Sequence, residues 1–190
     1  MAGAERIELP SKVLETPMLP LYHAPINRQN DYIIIFIYYS RYFIYYSGDC
    51  MLINYTENDV DLLARIMRAE ALSEGDLGML MVGNVVVNRV LANCLTFKNI
   101  TSLYQAIYQK NQFTGINSSL FQGSATTTEK QLAKRILDGE YYYPATNALW
   151  FYCPTKGASC KSTWYEQKLS GRYKNHCFYK PEPGICNQLY

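Results

Sequence analysis

Asp59-Val-Asp-Leu-Leu-Ala-Arg-Ile-Met-Arg-Ala-Glu-Ala71, followed by Asp76-Leu-Gly-Met-Leu-Met-Val-Gly-Asn-Val-Val-Val-Asn-Arg-Val-Leu-Ala-Asn93, decides the fold. In the first stretch Val60, Leu63, Ile66 and Met67 recur at three- and four-residue spacing, so one face of a helix is apolar. Thr56-x-x-Asp59 supplies a start for that helix, which runs to about Leu72. In the second stretch Leu77, Leu80, Met81, Val82, Val85, Val86, Val87, Val90 and Leu91 leave almost no polar face, as expected of a central buried helix. Gly78 and Gly83 let a neighbour come close to it.

Working outward, a third helix is expected at about 101–109, through Leu103 and Ile107. Thr126-x-x-Glu129 opens another, which Gly139 ends. The period then changes. Asn147–Cys153 and Arg172–Lys180 read as strands separated by loops containing Gly and Ser. The expected class is therefore α+β, a helical bundle followed by a short antiparallel sheet.

Residues 1–50 read differently. Pro10, Pro17, Pro20 and Pro25 interrupt any helix, and an apolar run from Tyr32 to Tyr46 follows, broken by Arg41. A membrane-spanning helix needs about 20 apolar residues, more than this run offers. Its position and flanks do not fit a secretory signal either. Three readings stay open for this extension. It is a tail touching a membrane surface or a coat through residues 32–46, an exposed strand prone to aggregation, or a segment foreign to a domain that begins at Met51 and spans 51–190.

Composition excludes several function classes. The 190 residues carry a net charge of only +2, too weak a field to suggest nucleic acid as partner. The chain has two histidines, and only His176 lies after residue 50, so a zinc site built on several histidines is not expected and no cofactor or metal is called for. None of the six cysteines forms a C-x-x-C pair. Disulfides and free thiols remain equally open for them. Cys177 or Cys160 with His176 could make a Cys–His pair, but Cys177 adjoins His176 in a strand and points to the opposite face.

Among the carboxylates, Glu57, Asp59, Asp61, Asp76 and Glu129 sit where solvent or a helix start would hold them. Glu70 instead follows Ile66 by four residues and Met67 by three, on the apolar face of its helix. Burial there disfavours the charged form and keeps the carboxyl protonated, a state suited to donating a proton to a glycosidic oxygen. The alternative is a helix-end Glu paired with an Arg or reaching solvent. Asn84 and Asn88, one turn apart on an apolar helix, form a polar patch that either serves the site or satisfies buried backbone. Glu74 is the nearest candidate for a second carboxylate.

The segment from Asp59 to Ala71, then Glu74-Gly75, Gly78 and Val82–Val90, resembles the front half of the SleB/CwlJ cell wall hydrolase domain. Ala92-Asn-Cys94, Ile107-Tyr-Gln109, Gln112-Phe113, Ala148–Tyr152 and Asn175–Tyr179 continue the likeness in order. The contexts of Cys94, Cys177 and Cys186 resemble the CwlJ branch in particular. Residues 1–50 and Cys153 depart from the pattern. The resemblance implies a lysozyme-like fold related to lytic transglycosylases, with Glu70 as catalytic acid. It also implies action on spore-cortex peptidoglycan during germination, located at the spore coat, cortex or cell wall, with a coat protein as a possible anchor.

Two carboxyl groups are the rule for glycosidases, whereas a lytic transglycosylase needs one, so a single convincing Glu favours the latter. A hydrolytic muramidase or glucosaminidase, and a wall-binding or coat protein without catalysis, are the alternatives. Phe113, Tyr152, Trp164, Tyr165, Tyr173 and His176 join Asn84 and Asn88 as candidate substrate-binding residues, the aromatic ones as walls for sugar stacking.

Overall fold

The computed structural model describes residues 52–189, so the readings made for residues 1–50 fall outside the described chain. The first helix, α1 (Glu57–Ala71), opens with the expected capping box. The Thr56 hydroxyl accepts from the Asp59 amide at 3.3 Å, and the Asp59 carboxylate accepts from the Thr56 amide at 2.9 Å. A single 3-10 turn, Leu72–Glu74, and Gly75 at φ +76° reverse the chain into α2 (Gly75–Ala92). Helix α2 is buried almost all round, as its largely apolar sequence requires. A Cβ at Gly83 would meet Met67 Sδ at 3.0 Å and Ile136 Cγ1 at 3.1 Å, so this glycine sets how closely α2 meets its neighbours.

Helix α3 (Leu103–Tyr108) is shorter than the stretch predicted from spacing. It is followed by a 3-10 turn at Gly115–Asn117, the one-turn helix α4 (Ser119–Gln122) and α5 (Thr127–Leu137). Helix α5 carries the second expected capping box, Thr126 with Glu129. Helices α1, α2, α3 and α5 bury one apolar cluster that includes Leu63, Ile66, Met67, Val82, Val86, Ile107 and Ile136.

Four antiparallel strands complete the domain: β1 (Trp150–Tyr152), β2 (Thr163–Trp164), β3 (Gln167–Tyr173) and β4 (His176–Lys180), in the order β1-β4-β3-β2. Two strand readings need correction. Arg172–Lys180 is not one strand but the end of β3, a turn at Lys174-Asn175, and β4. Lys174 takes φ +45° there, a turn conformation that the β-rich composition of the stretch concealed. The strand expected at Asn147–Cys153 shrinks to three residues.

Register separates the two faces of the sheet. Phe151 opposes Phe178, and Tyr173 opposes His176. These four share the face turned to the helices, where Phe178 packs with Met81 and Val85 of α2, and Phe151 and Tyr173 flank them. Trp150 opposes Tyr179, and Tyr152 opposes Cys177, on the other face. Disulfides Cys94–Cys186 and Cys160–Cys177 tie down the C-terminal half, and Cys153 is free and exposed. The Cys160–Cys177 bond removes both thiols from the Cys–His pairing considered above. His176 indeed lies on the face opposite Cys177.

Candidate active site

Glu70 lies in the last turn of α1, half-buried. Its Oε1 accepts from the Gly115 amide at 2.7 Å. The chain makes that amide available because the 3-10 turn at Gly115–Asn117 folds directly against α1. A Cβ at residue 115 would lie 2.7 Å from Glu70 Oε1 and 3.0 Å from the Ala69 Cβ. Only glycine lets the backbone come this close to the carboxyl.

Burial pushes the Glu70 carboxyl above the ordinary glutamate range. The Gly115 N–H bond and the positive charge of Arg89 pull the other way without cancelling the effect. Of the alternative, a helix-end Glu paired with an Arg or reaching solvent, the ion pair with Arg68 does not form, while the side chain keeps partial exposure. The neighbouring arginine on the same helix, Arg68, is spent elsewhere, on the carbonyls of Leu120, Gly123 and Ser124 and on the Glu129 carboxylate at 2.9 Å.

Glu74, the candidate second carboxylate, is buried and bound to the β3–β4 turn. It accepts from Asn175 Nδ2 at 2.9 Å and from the Asn175 amide at 3.2 Å. Burial would raise its pKa, but the Asn175 hydrogen bonds, with His176 and Lys174 nearby, outweigh it and hold Glu74 below the usual range. It is a committed carboxylate joining α2's start to the sheet. Asp76 is exposed.

Asn84 and Asn88 share a face of α2, and both hold the segment that leads into β1. Asn84 donates to the Glu140 carbonyl at 2.7 Å and accepts from the Tyr142 amide at 2.9 Å. Asn88 Nδ2 donates to the carbonyls of Ala145, Thr146 and Ala148, each at 3.0 Å. With both side chains buried, the polar patch read from the sequence is directed at backbone rather than at an open site.

The aromatic candidates divide. Phe113 is buried two residues before Gly115, 6.2 Å centroid to centroid from Phe151, which in turn meets His176 edge-on at 5.1 Å. Burial lowers the pKa of His176, and Glu74 only partly offsets this, so the imidazole is neutral near pH 7. Tyr173 lines the same side of the sheet, 3.5 Å from where a Gly78 Cβ would stand. Tyr152, Trp164 and Tyr165 instead form a ring cluster on the opposite face. Trp164 is 4.8 Å from Tyr152, 4.9 Å from Tyr165 and 5.6 Å from Tyr179. The structure therefore brings Phe113, Tyr173 and His176 to the helix side of the sheet and keeps the other three away from it.

Two residues beside Glu70 were not singled out from the sequence. Gly115 carries no signal there, because the close approach involves two segments 45 residues apart. Arg89 did carry one, as a charge on a helix apolar on every side. It is 2% exposed, and its guanidinium lies over Phe113 at 4.5 Å and Phe97 at 4.9 Å.

Residues 73–179 match the family described as Cell Wall Hydrolase, a stretch that begins just after Glu70. Over 140 residues the chain is 46% identical to the cell wall hydrolase CwlJ of Oceanobacillus iheyensis, covering 73% of this chain and 98% of that one. It is 27% identical over 126 residues to a spore cortex-lytic enzyme of Bacillus cereus, covering 66% of this chain and 46% of the relative. Among solved structures, the catalytic domain of the germination-specific lytic transglycosylase SleB from Bacillus anthracis superposes with a TM-score of 0.53 at 24% identity. That likeness covers 67% of this chain and 98% of the other and shows a shared fold, the lysozyme-like one.

Proposed function

Because the chain belongs to the cell wall hydrolase family, whose members degrade peptidoglycan, we propose that it cleaves the glycan strands of spore-cortex peptidoglycan as a lytic transglycosylase, with Glu70 as its acid and base. The observation that carries this reading is a single half-buried carboxyl whose proton affinity burial raises and whose position the Gly115 amide fixes. The protonated Glu70 gives its proton to the glycosidic oxygen as the bond from C1 to that oxygen breaks. The resulting carboxylate then takes the proton of the muramyl 6-hydroxyl as that oxygen bonds to C1. Glu70 ends protonated, the product carries a 1,6-anhydro ring, and no water is consumed. The commitment of Glu74 to Asn175 supports one carboxyl rather than two as the working group. The names of relatives that act in germination and on the spore cortex support the substrate.

Glu70→Gln tests the assignment. It keeps size and hydrogen bonding but removes the transferable proton. Release of soluble fragments from purified cortex should fall by at least about 100-fold, the scale of a lost general acid, with helical circular dichroism unchanged. Activity close to wild type would overturn it. Mass spectrometry of wild-type products decides the reaction type: anhydro ends are expected, and reducing ends would mean hydrolysis.

A further inference from the structure

We propose that Arg89 is a positioning residue for the reaction, a buried cation whose charge and stacked ring together set the readiness of Glu70 to give up and retake its proton. This rests on the reading of Glu70 as the acid and extends it to the machinery behind that carboxyl.

Arg89 is an odd residue for its place. It projects from the most apolar helix of the domain into a fully buried position. Its Nε donates to the Leu149 carbonyl at 2.8 Å, but its Nη1, also buried, has no hydrogen-bond partner. No carboxylate forms an ion pair with it among the described residues; Phe97 and Phe113 cover the guanidinium instead. Burying such a cation carries a desolvation cost that one carbonyl hydrogen bond and two ring contacts only partly offset.

The site gives a reason. The charge that Arg89 senses is that of Glu70, and the coupling runs in both directions. Burial pushes the guanidinium down to about 9, and Glu70 works against that loss. The other charged groups around Glu70 are occupied. On α1, Arg68 is held by the 120–129 segment, and Arg65 pairs with Asp61 at 2.9 Å. From the α2 start and the β3–β4 turn, Glu74 is bound by Asn175, Lys174 reaches the Glu74 carbonyl, and His176 is neutral. The 3-10 turn at Gly115–Asn117 brings no charged residue. Among the described residues, Arg89 is thus the cation whose charge favours the Glu70 carboxylate.

Its second connection is steric. The ring of Phe113 rests on the guanidinium, and two residues later the same loop delivers the Gly115 amide to Glu70. One side chain thus steadies both influences that lower the energy of the Glu70 carboxylate. That matters halfway through the reaction, when Glu70 has lost its proton and must persist as an anion until it can accept another. Burial alone would make a reluctant donor.

The test is a direct titration of Glu70 in protein with 13C-labelled glutamate carboxyls, the Glu70 signal being the one absent from Glu70→Gln. Removing the positive charge in Arg89→Met should raise the Glu70 midpoint by about one pH unit, the lower end of what a nearby opposite charge does. The alkaline limb of cortex cleavage should move with the midpoint. A folded Arg89→Met with an unmoved Glu70 midpoint overturns the inference. If Arg89→Met does not fold, Arg89→Gln is titrated in its place; if neither neutral variant folds while Arg89→Lys does, Arg89 is a structural cation and the inference fails. The titration needs no activity, so the two readings separate. A shifted midpoint with an unshifted rate profile would uphold the Arg89 coupling and count against Glu70 as the acid.

Discussion

Replacing Gly115 with alanine is the sharpest test of how the site is built, because it adds one methyl group and leaves every functional group in place. The new Cβ would stand 2.7 Å from Glu70 Oε1 and 3.0 Å from the Ala69 Cβ. A relaxed carbon–oxygen contact needs about 3.3 Å, so the carboxyl must withdraw by roughly 0.6 Å. Ala69 sits on α1 and cannot swing aside as a long side chain would. The Gly115 N–H bond, 2.7 Å in the wild type, would then stretch to about 3.3 Å, past the useful range. A hydrogen bond to a charged group is worth about 1.5–3 kcal/mol, which converts to a rate loss of about 10- to 150-fold. Overpacking costs about 1–3 kcal/mol of stability, a fall in melting temperature of about 3–10 °C, and leaves the domain folded at room temperature. The assay is release of soluble glycan fragments from purified cortex across a pH series, with circular dichroism as the folding control. Since the lost bond favoured the ionised carboxyl, the Glu70 pKa should rise and the alkaline limb should move to higher pH. A folded Gly115→Ala enzyme with wild-type rate and an unmoved limb would refute the reasoning.

Glu74→Gln should weaken the joint between α2 and the β3–β4 turn. Because the folded-state pKa of Glu74 is depressed, its contribution is complete above the ordinary glutamate range and is lost as pH falls through the folded value. The difference in melting temperature from wild type should therefore be largest near neutrality and close below about pH 4. Trp164→Ala should cost less than the roughly 3–5 kcal/mol of a core aromatic, because Trp164 is only half-buried. Tyr165→Ala, at a residue 81% exposed, should leave the melting temperature unchanged. If this outer cluster holds polymer, both variants should bind intact cortex less well in a pull-down while cleaving short soluble glycan normally; unaltered retention would remove these rings from substrate binding. A chain of residues 51–190 should fold and cleave cortex like the full chain, with loss of its helical circular dichroism counting against 1–50 as a dispensable extension.

Much of the fold was legible along the chain because its determinants are local. Both capping boxes need only a hydroxyl and a carboxylate three residues apart, and both occur where expected. Helix α2 announced its burial through a sequence apolar on almost every side, and Gly83 its close neighbour. Glu70 stood out because 3.6-residue periodicity places it on the inner side of α1. The strands were less legible: the turn at Lys174-Asn175 lacks the usual glycine, so two strands read as one.

The surroundings of Glu70 were decided by contacts between segments far apart in the chain. A pattern of residue types reports which side of a helix is buried, but not what lies against it. Only the packed structure brings the Gly115 amide to the carboxyl and sets Arg89 between two rings behind it. Only strand register could place Tyr152 and Trp164 on one face of the sheet and Tyr173 and His176 on the other. Asn84, Asn88 and Glu74 show the same division. Their polarity on a buried helix or tight turn was visible in the sequence, but an amide or carboxylate satisfies whichever donor or acceptor folding delivers. Here that was the backbone at 140–148 and the turn at Asn175.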